Sequence, residues 1–406
     1  MSRVILHCDM NNFYASVECM LHPELRDKPL AVCGDSEERH GIVLAKNYLA
    51  KSFSVKTGDV VWEAKQKCKD LVVVKPHFDE YVKMSRLSRE IYGRYTDLIE
   101  PFGLDECWLD ITSNAKTLQA GVDIANKIRE TIKSELGLTI SVGVSFNKIF
   151  AKLGSDLKKP DAVSVIPKEN FLSVIGDLPA SDMLGVGRAM KERLSTYCVE
   201  TISDLAGFSK NLLIKLFGKS GEMLWRYANG LDDTPVVSKN AEIPDKSVGN
   251  GITAPCDLET SDEVWKLMLE LSQEIGHRLA MADKSAGAVA IQIKDNALNV
   301  KQWQAPLNSM TQSPYSIAKA AFELFCKNYE WTKPVRAVSV RAINLVMCGE
   351  PEQVNLFSVQ QSGYSEDTGI DSTVEGIRAR FGDSSIKNAV VLGKDLKKQP
   401  REVLPK

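Results

Sequence analysis

The sequence predicts an α+β protein of several domains, the first of them built on a ferredoxin-like sheet. Three observations lead there. Up to residue 166 the chain alternates strand-like and helix-like runs in the order strand, helix, strand, strand, helix, strand, which is the split βαβ pattern. Residues 167–236 change to short helical segments punctuated by Gly185, Gly187, Gly207, Gly218, Gly221 and Gly230. Residues 247–346 return to strands mixed with two long helical runs, a second small α+β domain. A chain of 406 residues has room for them at roughly 100–200 residues per domain.

The elements follow in order. Val4–Leu6 is a short apolar run ending at Asp9, a buried strand with an acid at its end. Residues 11–78 mix short strands (Ala31–Cys33, Ile42–Leu44, Val72–Val74) with short helices, and a helical segment follows Phe78. Pro101–Thr112 is strand-like and interrupted by two acids. Residues 121–136 form an amphipathic helix with Ile124, Ile128 and Ile132 on one face, stopped by Gly137. Thr139–Ser145 is the next strand. Residues 237–246 read as an exposed linker, and helices are expected around Val264–Ala282 and Ser316–Asn328. Beyond Cys348 the chain is mostly polar until Ser372 or Thr373, either of which can cap a short helix ended by Gly382. Val374, Ile377 and Phe381 share one face of that helix, which can dock on the preceding domain or on a partner.

Composition sets limits on function. Apolar residues make up 44% and charged residues 26%, as in an ordinary globular protein and unlike a disordered chain. With 51 Lys/Arg against 53 Asp/Glu the net charge is −2, which excludes a generally basic nucleic-acid coat but leaves room for a local DNA groove. The nine cysteines form no C-x-x-C pair and are odd in number, against a disulfide framework or zinc knuckle. No apolar run approaches the roughly 20 residues of a membrane helix, and His7 and Asp9 interrupt any signal-peptide core. A cytoplasmic protein without membrane contact is expected.

Three carboxylates carry the strongest chemical signal. Asp9 ends the first strand, and Asp105 and Glu106 are adjacent within PFGLDECWLD. Neighbours on a regular strand face opposite ways, so a tight bend is needed for both to converge, and Gly103 makes one easier. Clustered carboxylates demand a cation, and hard oxygen ligands select Mg²⁺, with Mn²⁺ able to substitute. Two such ions roughly 3.5–4 Å apart activate an attacking hydroxyl and stabilise a leaving phosphate. Asp110 reads as structural. FGKSG (217–221) contains G-K-S, but Leu213 stands where a phosphate loop needs its first glycine, so it reads as a loop between helices.

HCDMNNFYASVE (7–18) together with PFGLDECWLD (101–110) resembles the two catalytic motifs of the Y-family DNA polymerases. SVGVSFNKIFAKLGSDLKKPD (141–161) resembles that family's third hallmark, and LGVGRAMKERL (184–194) its helix–hairpin–helix. The match runs in order over nearly the whole chain. It implies a right-hand polymerase: ferredoxin-like palm (1–10 and 79–166), small fingers (11–78), helical thumb (167–236), a linker (237–244), an α+β little finger (245–346) and a flexible tail (347–406). It implies low-fidelity synthesis past damaged template bases from dNTPs, without proofreading, on primer–template DNA. In that reading Asp9, Asp105, Glu106 and the Met10 carbonyl bind two metals. Asn12 and Phe13 offer backbone amides to the triphosphate, and Tyr14 is the steric gate whose flat ring leaves no room for a ribose 2′-OH. Tyr48 and Lys51, at i and i+3, join Lys159 of the KKP stretch in holding the triphosphate, chemistry suited to the charge developing on pyrophosphate.

The chain also departs from the family pattern. Lys51 stands where arginine is usual, giving a point charge without bidentate phosphate geometry. Ala45 replaces a usual hydroxyl residue, and Lys46, usually small, is placed to compensate. Ile42 and Leu44 narrow the roof over the templating base. Gly185 and Gly187 let a turn bring backbone N–H groups at a helix N-terminus close to a DNA phosphate. Between 240 and 345 acids and bases balance, so DNA contact there needs a local face; Lys294 and Lys301, with Gln302 and Gln304, flank strands and are the candidates. Gln353-Val354-Asn355-Leu356-Phe357 resembles the bacterial sliding-clamp motif Q-x-x-L-F, with Gln353 hydrogen-bonding and Leu356 and Phe357 as apolar anchors. A monomer is expected. Two other readings compete: a nucleotidyl cyclase, which shares the palm chemistry but needs neither DNA nor clamp, and a non-catalytic accessory protein, disfavoured because all three carboxylates are present.

Overall fold

The structure, a computed structural model, describes residues 3–35, 39, 41–238, 241, 244–348, 367–382, 385–386 and 389. The chain folds into two compact units that divide near residue 243. No helix among the described residues is long and apolar enough to cross a membrane.

The first unit contains strands β1 (Ile5–Met10), β2 (Leu30–Cys33), β3 (Val43–Lys46), β4 (Val72–Val74), β5 (Ile99–Phe102), β6 (Glu106–Asp110), β7 (Ile140–Ser145) and β8 (Val163–Ile166). Five of them form one sheet in the order β5-β6-β1-β7-β8. Its first four strands have the ferredoxin-like arrangement; β8, parallel to β7, is a fifth strand that the sequence pattern did not reveal. Every residue of β1 is buried, because helices cover both faces of the sheet. Leu6, Cys8 and Met10 face the helices Phe78–Tyr92 and Leu118–Leu136, and share a core with Tyr81, Ile91, Ile128 and Ile132. Ile5, His7 and Asp9 face the helix Lys148–Leu157. That helix lies close against the sheet because two glycines meet. A Cβ on Gly143 would stand 1.9 Å from the Ala151 carbonyl, and Gly154 packs against Gly143 itself.

The helix expected over 121–136 begins earlier, at Leu118, where the Thr117 side chain accepts from the Ala120 N–H; Gly137, at φ 66°, ends it as read. The strand expected over Ile42–Leu44 is displaced to Val43–Lys46, and Ile42 makes only an isolated bridge to Val60. Together β2, β3 and β4 form a small separate sheet. Residues 171–228 form five short α-helices and one 3-10 turn (Ala180–Asp182), packed around Phe146 and Phe150 of the larger sheet's layer. Gly218, at φ 60°, is the single joint between Lys210–Phe217 and Lys219–Ala228, so the G-K-S sequence is a helix junction.

The second unit has strands β9 (Ser247–Leu258), β10 (Lys284–Asp295), β11 (Val300–Thr311) and β12 (Val335–Met347), antiparallel in the order β11-β10-β12-β9. Helices Ser261–Met281 and Pro314–Asn328 cover one face, and their apolar residues share a core with Val289, Ile291, Val338 and Val340. The terminal helix spans Asp367–Phe381, so Ser372 and Thr373 lie inside it and do not cap it; Gly382, at φ 89°, ends it as expected. Arg378 donates to the Gln273 side chain at 2.7 Å, which docks this helix on the second unit.

Candidate active site

The three carboxylates are brought to one end of the five-stranded sheet. Asp9 and Glu106 are cross-strand partners in the β1–β6 ladder, and therefore share the face covered by Lys148–Leu157. Asp105 lies in the turn between β5 and β6, where Gly103 takes φ 82°. The Met10 amide donates to the Asp105 carbonyl at 3.1 Å, tying the turn to the end of β1. The bend required by two adjacent acids is thus present: one is a turn residue, the other the first residue of a strand.

Basic residues from the covering helix, from the loop after it and from β1 meet these acids. Lys159 Nζ is 2.8 Å from Asp9 Oδ2 and 2.9 Å from Asp156. Lys152 pairs with Glu106. His7, completely buried, places Nε2 3.2 Å from Glu106 Oε2, off the hydrogen-bond axis, and Nδ1 2.9 Å from Ser155 Oγ. Burial pushes the Asp9 carboxyl up to about 6 despite Lys159. Burial, followed by the charge of Glu106, also raises Asp105. Burial works in the same sense on Glu106, but His7 and Lys152 outweigh it and bring that carboxyl down to about 2. No group of three His, Cys, Asp or Glu side chains among the described residues stands ready-made as a metal cage. The donor set nevertheless suits a divalent cation: hard oxygens, two held above the ordinary carboxylate range by burial, with lysines supplying the positive charge that the cluster demands.

Asn12, in the left-handed region at φ 49°, turns the chain from β1 into the helix Phe13–Leu21. Phe13 is buried, whereas Tyr14 is half-buried beside Asp105, whose charge adds to burial in raising the phenol. Tyr48 and Lys51 do share a helical turn, with Lys51 Nζ 5.7 Å from the Tyr48 ring centre. Burial raises the Tyr48 phenol, with Lys159 opposing and Asp9 adding, so Tyr48 stands within electrostatic reach of the Lys159–Asp9 pair. Lys46 donates to Thr57 Oγ1 at 3.1 Å. His7, Lys152 and Ser155 were not singled out in the sequence. The signal for the last two was the polar stripe at Lys148, Lys152 and Ser155, at i, i+4 and i+7 of one helix.

Gly185 takes φ 95° and Gly187 precedes the helix Arg188–Ser195, the expected turn-to-helix geometry. The two lysines of the second unit do not share one face. Lys294 and Lys301 lie within β10 and β11 and on opposite faces. Lys294 shares the helix-free face with Gln292, Gln302 and Gln304, whereas Lys301 pairs with Ile293 on the core side. A slip of one in strand parity separates them. Arg341 and Ser339 of β12 share the helix-free face, through their partners Ala290 and Gln292. Gln353, Leu356 and Phe357 lie outside the described residues.

Three family patterns match the chain: the impB/mucB/samB family over residues 8–156, a thumb domain described as that of DNA polymerase-iota over 177–232, and the impB/mucB/samB C-terminal domain over 245–356. A DNA polymerase IV of Acetivibrio thermocellus is 50% identical over 392 residues, covering 97% of this chain and 98% of that one. A DNA polymerase IV of Clostridium acetobutylicum is 32% identical, with 98% and 100% covered. A solved Y-family DNA polymerase chimera superposes with a TM-score of 0.75 at 23% identity, covering 85% of this chain and 99% of that one. Carboxylates at the end of a ferredoxin-like sheet, a helix–hairpin–helix thumb and an α+β C-terminal unit define a Y-family polymerase, and the chain belongs to that family. Within it the relatives place the chain on the DNA polymerase IV branch: a DNA-directed DNA polymerase that synthesises past template damage and binds DNA and dNTP. DNA polymerases of this kind generally use a divalent metal.

Proposed function

We propose that Asp9, Asp105 and Glu106, with the Met10 carbonyl, form the catalytic centre, that Asn12, Phe13, Tyr48, Lys51 and Lys159 hold the nucleotide, and that Tyr14 is the sugar gate. The supporting observation is the Asp9–Glu106 cross-strand pairing with Asp105 in the adjoining turn. When bound there, a pair of Mg²⁺ ions, or Mn²⁺, supplies activation of the primer 3′-hydroxyl and neutralises charge at the α-phosphate and pyrophosphate. The chain's own residues do the rest. Lys159 moves its ammonium from Asp9 to the triphosphate, and Tyr48 and Lys51 stabilise the leaving oxygens. Tyr14 lies under the sugar and excludes a 2′-hydroxyl.

The accompanying assignment is palm 1–10 and 79–166, fingers 11–78, thumb 167–236, linker 237–244, little finger 245–346 and tail 347–406. Gly185 and Gly187 offer backbone donors to phosphate, and Lys294 acts from the helix-free face of the little finger. Gln353, Leu356 and Phe357 engage a sliding clamp, and the protein works as a monomer. Primer extension with Mg²⁺ and dNTPs, beside Asp105→Ala/Glu106→Ala, tests the centre. Templated incorporation that vanishes in the double variant supports it. Extension that survives in the variant refutes it, and DNA binding without extension in the unaltered chain favours an accessory protein.

A further inference from the structure

Glu18 is completely buried, on a helix whose other inward residues are apolar or small. A lone buried carboxylate costs several kcal/mol unless its oxygens are satisfied. Here they are met by the Tyr81 hydroxyl, which donates to Oε1, and by His77 Nδ1, 3.0 Å from each oxygen. Glu18 lies one helical turn after Tyr14, at i+4, so both project from the same face of Phe13–Leu21. Tyr81, from the opposing helix Phe78–Tyr92, spans the two. Its hydroxyl is fixed on Glu18, and its ring stacks flat on Tyr14 at 4.2 Å between centres and 10° between planes. Phe78 closes the cluster edge-on to both rings, 5.9 Å from Tyr14 and 5.7 Å from Tyr81.

We propose that Glu18 is a positioning residue for sugar selection: it anchors Tyr81 by its hydroxyl, and Tyr81 braces Tyr14 from behind. The proposal rests on the reading of Tyr14 as the gate. A gate that separates deoxyribose from ribose must resist displacement by a single oxygen atom. A ring free to slide back would admit the 2′-hydroxyl while still accepting dNTPs. A charge-assisted hydrogen bond is among the stronger noncovalent ties, and it holds Tyr81 at the end of the ring opposite its own backbone. The chemical work of Glu18 is therefore rigidity transmitted through one stacked ring.

The test is the ratio of kcat/KM for dNTP over rNTP in primer extension, with melting curves to verify folding. Tyr14→Ala is expected to collapse the ratio by roughly a hundredfold. Tyr81→Phe, which keeps the ring and removes only the tether, is expected to lower it by about tenfold while dNTP kcat stays within about twofold. Glu18→Ala should match Tyr81→Phe, and Glu18→Gln, which keeps an acceptor for Tyr81, should restore most of the ratio. If Glu18→Ala does not fold, Tyr81→Phe decides alone. Unaltered ratios in Tyr81→Phe and Glu18→Ala, with a collapsed ratio in Tyr14→Ala, overturn the proposal. An unaltered ratio in Tyr14→Ala itself refutes the gate reading, and the role of Glu18 falls with it.

Discussion

At the scale of single residues, charge placement decides what the site can do. Lys159 is held near the carboxylates by a loop that Asp161 fastens. Arg129 donates to Asp161 Oδ1 at 2.8 Å and to its carbonyl at 3.0 Å, and Lys133 donates to Oδ2 at 3.1 Å. Burial raises the Asp161 carboxyl, but Arg129 and Lys133 outweigh it and hold it below the usual carboxylate value. A depressed folded-state value means the ion pairs contribute fully above the unfolded value, about 3.9, and are lost as pH falls through the lower folded one. Asp161 occupies φ 53°, a conformation asparagine also tolerates, so Asp161→Asn removes charge with little backbone cost. Two partly exposed pairs are together worth about 1 kcal/mol. Asp161→Asn should lower Tm by about 2–4 °C at pH 7, and the gap should close as pH falls below about 4. Thermal melts across that range check both the size and the sign.

At the scale of elements, the approach of one helix to one sheet assembles the centre. Lys148–Leu157 delivers Lys152 and Ser155 to Glu106 and His7, and it can do so only because Gly143 and Gly154 leave no Cβ between helix and strand. Gly143→Ala would drive a methyl group into the Ala151 carbonyl and the Ser155 amide, both backbone atoms. A loss of about 3 kcal/mol or more, read by urea unfolding, is expected, together with loss of extension. Gly207→Ala is the control: nothing stands within 4 Å of its added Cβ, so stability should stay within about 1 kcal/mol. In the second unit Thr260 and Glu263 form a capping box at the start of Ser261–Met281. Thr260→Ala should cost about 1 kcal/mol in the same measurement, without changing single-nucleotide incorporation.

At the scale of the whole molecule, a chain of net charge −2 has to hold DNA through local surfaces, and phosphate contacts of that kind are salt-sensitive. On the proposed reading of Gln353–Phe357 as a clamp peptide, tethering would raise the effective concentration at the primer end without new DNA contacts. Leu356→Ala/Phe357→Ala should abolish stimulation of synthesis by a bacterial sliding clamp while leaving single-nucleotide incorporation without the clamp unchanged. Product-length distributions with and without clamp measure this, and undiminished stimulation in the double variant would sink the assignment.

The sequence alone determined the classes of element, their order along most of the chain, and which acids were candidates for one site, because these depend on local patterns: apolar periodicity, glycine stops, and motifs long enough to be distinctive. The split βαβ order and the Gly137 and Gly382 stops stand in the structure as read. Tertiary structure decided what local patterns cannot encode. The strand β8 is a short parallel addition whose pairing with β7 depends on a helix between them. The terminal helix starts at Asp367, five and six residues before Ser372 and Thr373, the caps read from the sequence. The opposite faces of Lys294 and Lys301 follow from register, which one residue reverses. Above all, the Glu18–Tyr81–Tyr14 arrangement joins positions more than sixty residues apart. Glu18 closes the motif at 7–18, but nothing in that stretch says whether the acid is buried or solvated. Only the packing of two helices removes it from water, and removal from water gives its charge a structural consequence.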